Sequence, residues 1–329
     1  MKKKIVLFFV LTAIFIMTAC SNTQEKTDGN EKTDGKLTIY TTVFPLKDFS
    51  EKIGGDFVHV ESIIPLGADA HTFEPTLKQM QDIADADLFL YTTSQLETYA
   101  ADMKKSLSDN QVTFMETAYG IDTVTSEEEH SEEETHSEEE EAHSEEEGES
   151  GHEEHEDQDP HVWLDPLLAI EIAENITASF SELLPEQQST FEENFQKVKE
   201  ELLQIDEEMQ STIEESSSKE ILVSHAAYGY WERRYGLEQI AISGLSPSNE
   251  PSQKELAELI SLAKDHNIEY VIFEQNVSSK VSKVIQQELG VEKLYLHNLS
   301  VQTKEDANQN EDYFSLMEKN IQTLKTALQ

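Results

Sequence analysis

Short runs rich in β-branched and aromatic residues alternate along this chain with longer amphipathic runs. The first is LTIYTTVFPL, beginning at Leu37 and closed by Pro45. Further strands are expected at Val58 to Ile64, Leu88 to Thr92 and Val112 to Met115. Apolar residues at helical spacing predict helices around Leu46 to Ile53, Leu77 to Ala84 and Leu96 to Leu107. The second half repeats the plan, with strands expected at Ile221 to Ser224, Gln239 to Ile242, Tyr270 to Phe273 and Lys293 to Leu296. Its helices are expected near Gln253 to His266, Ser278 to Glu288 and Tyr313 to Ala327. Alternating strands and helices indicate an α/β fold of two βαβ lobes, each with a roughly four-stranded, mostly parallel sheet.

Between the halves runs a helical stretch from Pro166 to about Glu215, with Leu167, Ile170, Ala173 and Ile176 on one face. Pro185 interrupts it, and proline is tolerated in the first turn of a helix, so two helices are expected to meet there. The reading is an N-terminal lobe over 37–165, a linker helix over 166–185 and a C-terminal lobe over 186–329. Ahead of them, Lys2, Lys3 and Lys4 precede an apolar run from Ile5 to Met17 and then Thr18-Ala19-Cys20. That run is too short to span a bilayer and has the order of a signal peptide, over 1–19. Cys20, the one cysteine of the chain, resembles the lipobox cysteine of bacterial lipoproteins, which is acylated and anchors the protein to a lipid membrane. Residues 20–36 carry EKTDGN followed by EKTDGK, a polar repeat expected to act as a flexible tether.

The formal net charge is −43, which argues against nucleic acid or anionic lipid surfaces as partners. Much of it is concentrated between Ser126 and Asp159, where 19 acidic residues and 5 histidines occur without a lysine or arginine. Like charges at that density repel and nothing apolar offsets the entropy of ordering, so 126–159 is expected to be a disordered loop. Its histidines, His130, His136, His143, His152 and His155, sit among carboxylates that raise their proton affinity. Each is thus a weak metal site, and together they form an accessory metal-collecting tether.

Three other histidines stand in distinctive contexts: His71 in PLGADAHTFEP, His161 in DPHVWLDP and His225 in VSHAAYGYW. Each lies at the end of an expected strand or the entry to a helix, where open α/β sheets line a ligand crevice. Three imidazoles and a fourth donor make a tetrahedral zinc site.

Together these motifs, over Leu37 to Gln329, resemble the metal-binding substrate-binding proteins of ATP-binding-cassette importers. The resemblance implies His71, His161 and His225 as metal ligands between the two lobes. Histidine rather than a carboxylate at position 225 matches the zinc-preferring members, in agreement with the preference of zinc for nitrogen donors. Relatives supply a carboxylate at the position of Ser300, which leaves Glu274, in VIFEQN, or water as the fourth ligand; Glu274 is equally placed to orient a histidine. Asp165 is read as the N-cap of the helix from Pro166. His59, His266 and His297 are read as structural or surface residues, and Arg233, Arg234, Tyr228, Tyr230 and Trp231 as packing near His225.

The implied function is capture of Zn2+ by a monomer on the outer face of the bacterial cytoplasmic membrane. The ion then passes to a permease driven by its ATPase, with limited lobe closure and with binding that weakens below about pH 6 as histidines protonate. A surface metal-sequestering or adhesion lipoprotein is the alternative. A three-histidine zinc hydrolase is disfavoured, since no HExxH helix, phosphate loop or GxSxG elbow is present, and the chain is read as a non-enzyme.

Overall fold

The computed structural model describes residues 35–124, 158–249, 251–275 and 280–329. The leader, Cys20, nearly all of the expected tether and the five histidines of the acidic segment lie outside the described residues. Strands β1 (Leu37–Thr41), β2 (Val58–Ser62), β3 (Leu88–Tyr91) and β4 (Thr113–Glu116) form one parallel sheet in the order β2-β1-β3-β4. Strands β5 (Glu220–Val223), β6 (Glu238–Ala241), β7 (Tyr270–Glu274) and β8 (Glu292–Leu296) form a second in the order β6-β5-β7-β8. The inner strand β3, LFLY, is buried at every position, while the outer β2, VHVES, alternates buried and exposed. A strand covered on both faces reads as an unbroken apolar run, and one with a wet face alternates. In each sheet the order reverses beside the first strand, between β1 and β3 and between β5 and β7. Such a reversal opens a crevice at the carboxyl ends of the strands.

The helices are α1 (Phe44–Gly54), α2 (Leu77–Ala84), α3 (Tyr99–Ser106), α4 (Pro166–Leu183), α5 (Gln188–Glu214), α6 (Gly229–Tyr235), α7 (Gln253–Asp265), α8 (Lys280–Leu289), α9 (Lys304–Gln309) and α10 (Tyr313–Ala327). Helix α4 starts where the Asp165 carboxylate accepts from the backbone N–H of Leu167 (2.9 Å) and Leu168 (3.2 Å), with Pro166 in the first turn. It stops ahead of Pro185, which opens a short 3-10 turn into α5. Along α5, Phe191, Phe195, Val198, Leu202, Ile205 and Met209 are buried. Their alternating spacing of four and three makes one apolar stripe, which packs on α4, α1 and α10. At Gly54, where α1 turns toward β2, a Cβ would lie 2.3 Å from Val58 Cγ1, so only glycine allows the approach.

A single hydrophobic core runs from Ile39 and Phe89 of the first sheet through α1, α4 and α5 to Val223, Ile272 and Met317 in the second half. Buried donors cross the same boundary. Trp231 Nε1 donates to Leu164 O (2.7 Å), Trp163 Nε1 to Asn298 O (2.8 Å) and Tyr313 Oη to Trp163 O (2.7 Å). A smaller cluster of Leu222, Ile242, Ala263, Val271, Phe273 and Ile285 is joined by residues of α7 and α8.

Two expectations change. The helix expected from Leu96 begins at Tyr99, because the Glu97 carboxylate accepts from the backbone N–H of Thr92 (3.2 Å) and Thr93 (3.0 Å) and from the Thr42 hydroxyl (2.5 Å), closing a turn instead. The expected disordered loop extended to Asp159, yet Gln158 and Asp159 are ordered, with Asp159 N donating to Val124 O at 2.9 Å.

Phe191 is fully buried against Phe180 and Phe57, with ring centroids 5.7 and 6.0 Å away. Phe191→Ala is expected to lower unfolding stability by about 3–5 kcal/mol in urea titrations, whereas Leu203→Ala, at a 44% exposed position on the same helix, is expected to stay within about 0.5 kcal/mol of the parent.

Candidate metal centre

His71, His161 and His225 are brought together from three separate segments. His71 lies in the loop between β2 and α2, where the Asp69 carboxylate accepts from its backbone N–H (3.0 Å). His161 directly precedes the 3-10 turn Val162–Leu164 that leads into α4. His225 follows β5, at the crevice edge of the second sheet. The Nε2 atoms of His71 and His161 are 3.2 Å apart, and those of His225 and His161 are 3.4 Å apart. With Zn–N bonds of 2.0–2.1 Å, a tetrahedron has edges of about 3.3–3.4 Å. The histidine nitrogens already stand at that separation.

Each of the two buried histidines has a carboxylate behind it. Asp159 Oδ1 accepts from both the backbone N–H of His161 (2.9 Å) and its Nδ1 (2.7 Å). Glu274 Oε1 is in direct contact with His225 Nδ1, and the other oxygen, Oε2, accepts from Asn298 Nδ2 at 2.7 Å. A carboxylate accepting from Nδ1–H leaves Nε2 as the bare lone pair, the tautomer that a metal requires. Tyr230 Oη, from α6, donates to the Asp159 carbonyl at 2.8 Å and fixes that backbone from the second half.

The electrostatics follow from burial. His161 and His225 are fully buried and His71 is half-buried. Burial, with the neighbouring imidazoles adding to it, pulls His71 and His161 down to about 3. Burial pushes Asp159 up to about 7 and the Tyr228 hydroxyl well above its ordinary value. The rings are therefore held neutral and ready to donate, and a dication at the centre favours the ionised form of the carboxylate behind His161. A cavity of about 630 Å³ adjoins the half-buried His71 and is lined also by Ser94, Gln95, Glu116, Gln158 and Asn249. His71 thus stands on the approach side of the cluster, with His161 and His225 behind it.

Among the described residues, His71, His161 and His225 are the one group of three or more histidine, cysteine and acidic side chains that converge on a common point. Glu274, expected either to ligate or to orient, is placed behind His225 with both oxygens engaged. Asp165 is the N-cap of α4 and also receives Arg234 Nε at 2.5 Å. His297 is buried against Asp306 and Asn320, His266 pairs with Glu220, and His59 lies beside Glu61. The five loop histidines and Cys20 fall outside the described residues. Sequence reasoning missed Asp159, which it had assigned to the acidic loop, and Asn298. The DPH triplet holds a signal for the former, since an aspartate two residues before a histidine reaches that residue's backbone N–H in an Asx turn.

Residues 39–327 match the model of a family described as zinc-uptake complex component A, periplasmic. The high-affinity zinc uptake system protein ZnuA of Bacillus subtilis is 35% identical over 321 residues, which is 97% of this chain and 96% of that protein. The zinc-binding lipoprotein AdcA of Streptococcus pneumoniae is 36% identical over 326 residues, 99% of this chain but only 61% of that longer protein. The crystal structure of the Zn(II)-bound ZnuA-like domain of that species' AdcA aligns with a TM-score of 0.72 at 33% identity, covering 89% of this chain and 99% of the domain.

A lowered histidine pKa means that the neutral ring persists as pH falls, so the weakening expected below about pH 6 moves to lower pH, because burial rather than solvent sets the protonation of His71 and His161. In metal-free protein, the ring nitrogens of His71 and His161 are expected to keep neutral-form NMR shifts down to about pH 4, whereas an unperturbed histidine titrates near 6.5. Midpoints close to 6.5 would mean that water reaches the cluster freely.

Proposed function

This chain belongs to the zinc-uptake complex component A family, and on that premise we propose that it captures Zn2+ on His71, His161 and His225. It then delivers the ion to the permease of an ATP-binding-cassette importer, powered by a partner ATPase. The observation that carries the reading is the spacing of the Nε2 atoms, 3.2 and 3.4 Å, which suits tetrahedral zinc. The donor set adds to it. Three neutral nitrogens suit zinc, whereas manganese favours oxygen. Asp159 and Glu274 act as orienting carboxylates, and the fourth position is filled from the cavity side.

The ion is carried and released rather than used for chemistry. Among the described residues, Glu274 and Asp159 both face the far nitrogens of their histidines, and Glu116, the carboxylate in the cavity lining, accepts from the Ser94 backbone N–H (3.2 Å). Cys20, behind its signal-like run, is the acylated anchor on the extracellular face of the membrane, a reading supported by the lipoprotein relatives. The acidic histidine segment supplies an accessory pool of weakly held metal, and Gln158, where the described chain resumes after it, lines the cavity.

Competition titration of the mature protein is expected to give one tight zinc per chain. That zinc should be lost in His71→Ala, His161→Ala and His225→Ala and retained in a variant lacking residues 127–156. Tight binding that survives the point variants and disappears with the segment would overturn the assignment. Deleting the gene is expected to abolish high-affinity zinc uptake in zinc-poor medium, restored by the parent but not by His161→Ala; unchanged uptake would favour a sequestering or adhesive role.

A further inference from the structure

The segment His297-Asn298-Leu299-Ser300, just after β8, holds a buried turn that makes no hydrogen bond to the three histidines. Leu299 adopts the left-handed conformation, φ 58°, while completely buried. A branched side chain there costs about 1–2 kcal/mol, and such strain persists where the surroundings require the conformation. The turn brings Ser300 back on Asn298. The Ser300 backbone N–H and hydroxyl both donate to Asn298 Oδ1, at 3.0 and 2.8 Å. Two donors on one oxygen fix which end of the amide is which, so Nδ2 must face the other way. There it donates to Glu274 Oε2 at 2.7 Å. The second carboxylate oxygen, Oε1, meets His225 Nδ1, and neither of these atoms has another hydrogen-bond partner among the described residues.

We propose that Asn298 is the positioning residue that sets the tautomer and the angle of His225, acting through Glu274. The polarity runs in one direction. Ser300 donates to Asn298, Asn298 donates to Glu274, and Glu274 has only acceptor capacity left for His225, whose Nδ1 must then carry the proton and whose Nε2 is bare. Asn298 holds Oε2 of Glu274 and leaves Oε1 facing the imidazole, which keeps the carboxylate in line with His225 rather than free to turn. The turn is itself bolted to the segment that bears His161, because Asn298 O accepts from Trp163 Nε1 (2.8 Å), and to the start of α1, where Ser300 O accepts from Phe44 N–H (2.9 Å). The same four residues thus set one ligand and tie it to the scaffold of another.

This inference rests on zinc binding at the histidine cluster, and a polarity-swap cycle tests it separately. Asn298→Asp places two carboxylates face to face, and Glu274→Gln places two amide NH2 groups face to face. Each alone is expected to weaken zinc binding by about 10–100-fold, the usual effect of removing a group that orients a ligand. The double variant Glu274→Gln/Asn298→Asp restores one donor opposite one acceptor. Aspartate still accepts from Ser300, and the glutamine oxygen still accepts from His225. Its zinc affinity is expected to recover most of the loss, and its Co(II)-substituted visible spectrum, altered in either single variant, is expected to return to that of the parent. A double variant weaker than both single ones, or single variants with parental affinity and spectrum, would overturn the role of Asn298. A parent protein that binds no zinc would instead defeat the proposed function itself, and the metal-free melting temperature of each variant separates lost positioning from lost folding.

Discussion

Three imidazole nitrogens that turn their lone pairs into one small space repel each other, and the centre of this protein is built against that repulsion. Unconstrained rings would rotate, protonate or separate. Here the Nε2 atoms are kept 3.2 and 3.4 Å apart by features that lie elsewhere. Asp159 and Glu274 grip the far side of two rings, burial removes the water that would protonate them, and the ends of β5 and β7 supply a rigid floor. The ion capable of relieving the repulsion is the one that fits the gap, so selectivity originates in the metal-free state.

Holding charged groups behind buried histidines is costly unless their hydrogen-bonding capacity is met. The site meets it from both halves of the chain. Tyr230 reaches from α6 to the backbone of Asp159, and Asn298 reaches from beyond β8 to Glu274. Because the main core passes unbroken through α1, α4 and α5 between the sheets, the two halves share their apolar interior. Hinge motion of the kind seen where lobes have separate cores would have to expose this interior to water.

The parts of this design legible in the sequence were those with local periodicity. Seven of the eight strands lie within two residues of their expected bounds at each end, the first starts at Leu37 as expected but stops at Thr41, short of Pro45, and α2 and α10 coincide with theirs, because β-branched runs and apolar spacing act over a few neighbours. Glu97 shifted the start of α3 through bonds to Thr42, Thr92 and Thr93, long-range geometry that no window of propensity contains. The short α6 was hidden by its aromatic content, which reads as packing whether or not it is helical. His71, His161 and His225 stood out by motif. Asp159 did not, because it closes a segment whose average composition argues for disorder, while its own side chain is fixed by a histidine two residues away. The pairing of Asn298 with Glu274 crosses from one strand end to another and leaves no trace in either neighbourhood.

The shared interior also bears on how a loaded molecule is distinguished from an empty one. With little room for the halves to swing, the outline of the protein is expected to be nearly the same in both states. What differs is valence. Three neutral imidazoles add no negative charge of their own, so an ion held as proposed beside the mouth of the cavity would bring two units of positive charge to a surface that otherwise belongs to a strongly acidic chain. A receiving surface that reads this protein reads a change of electrostatic potential more than a change of contour.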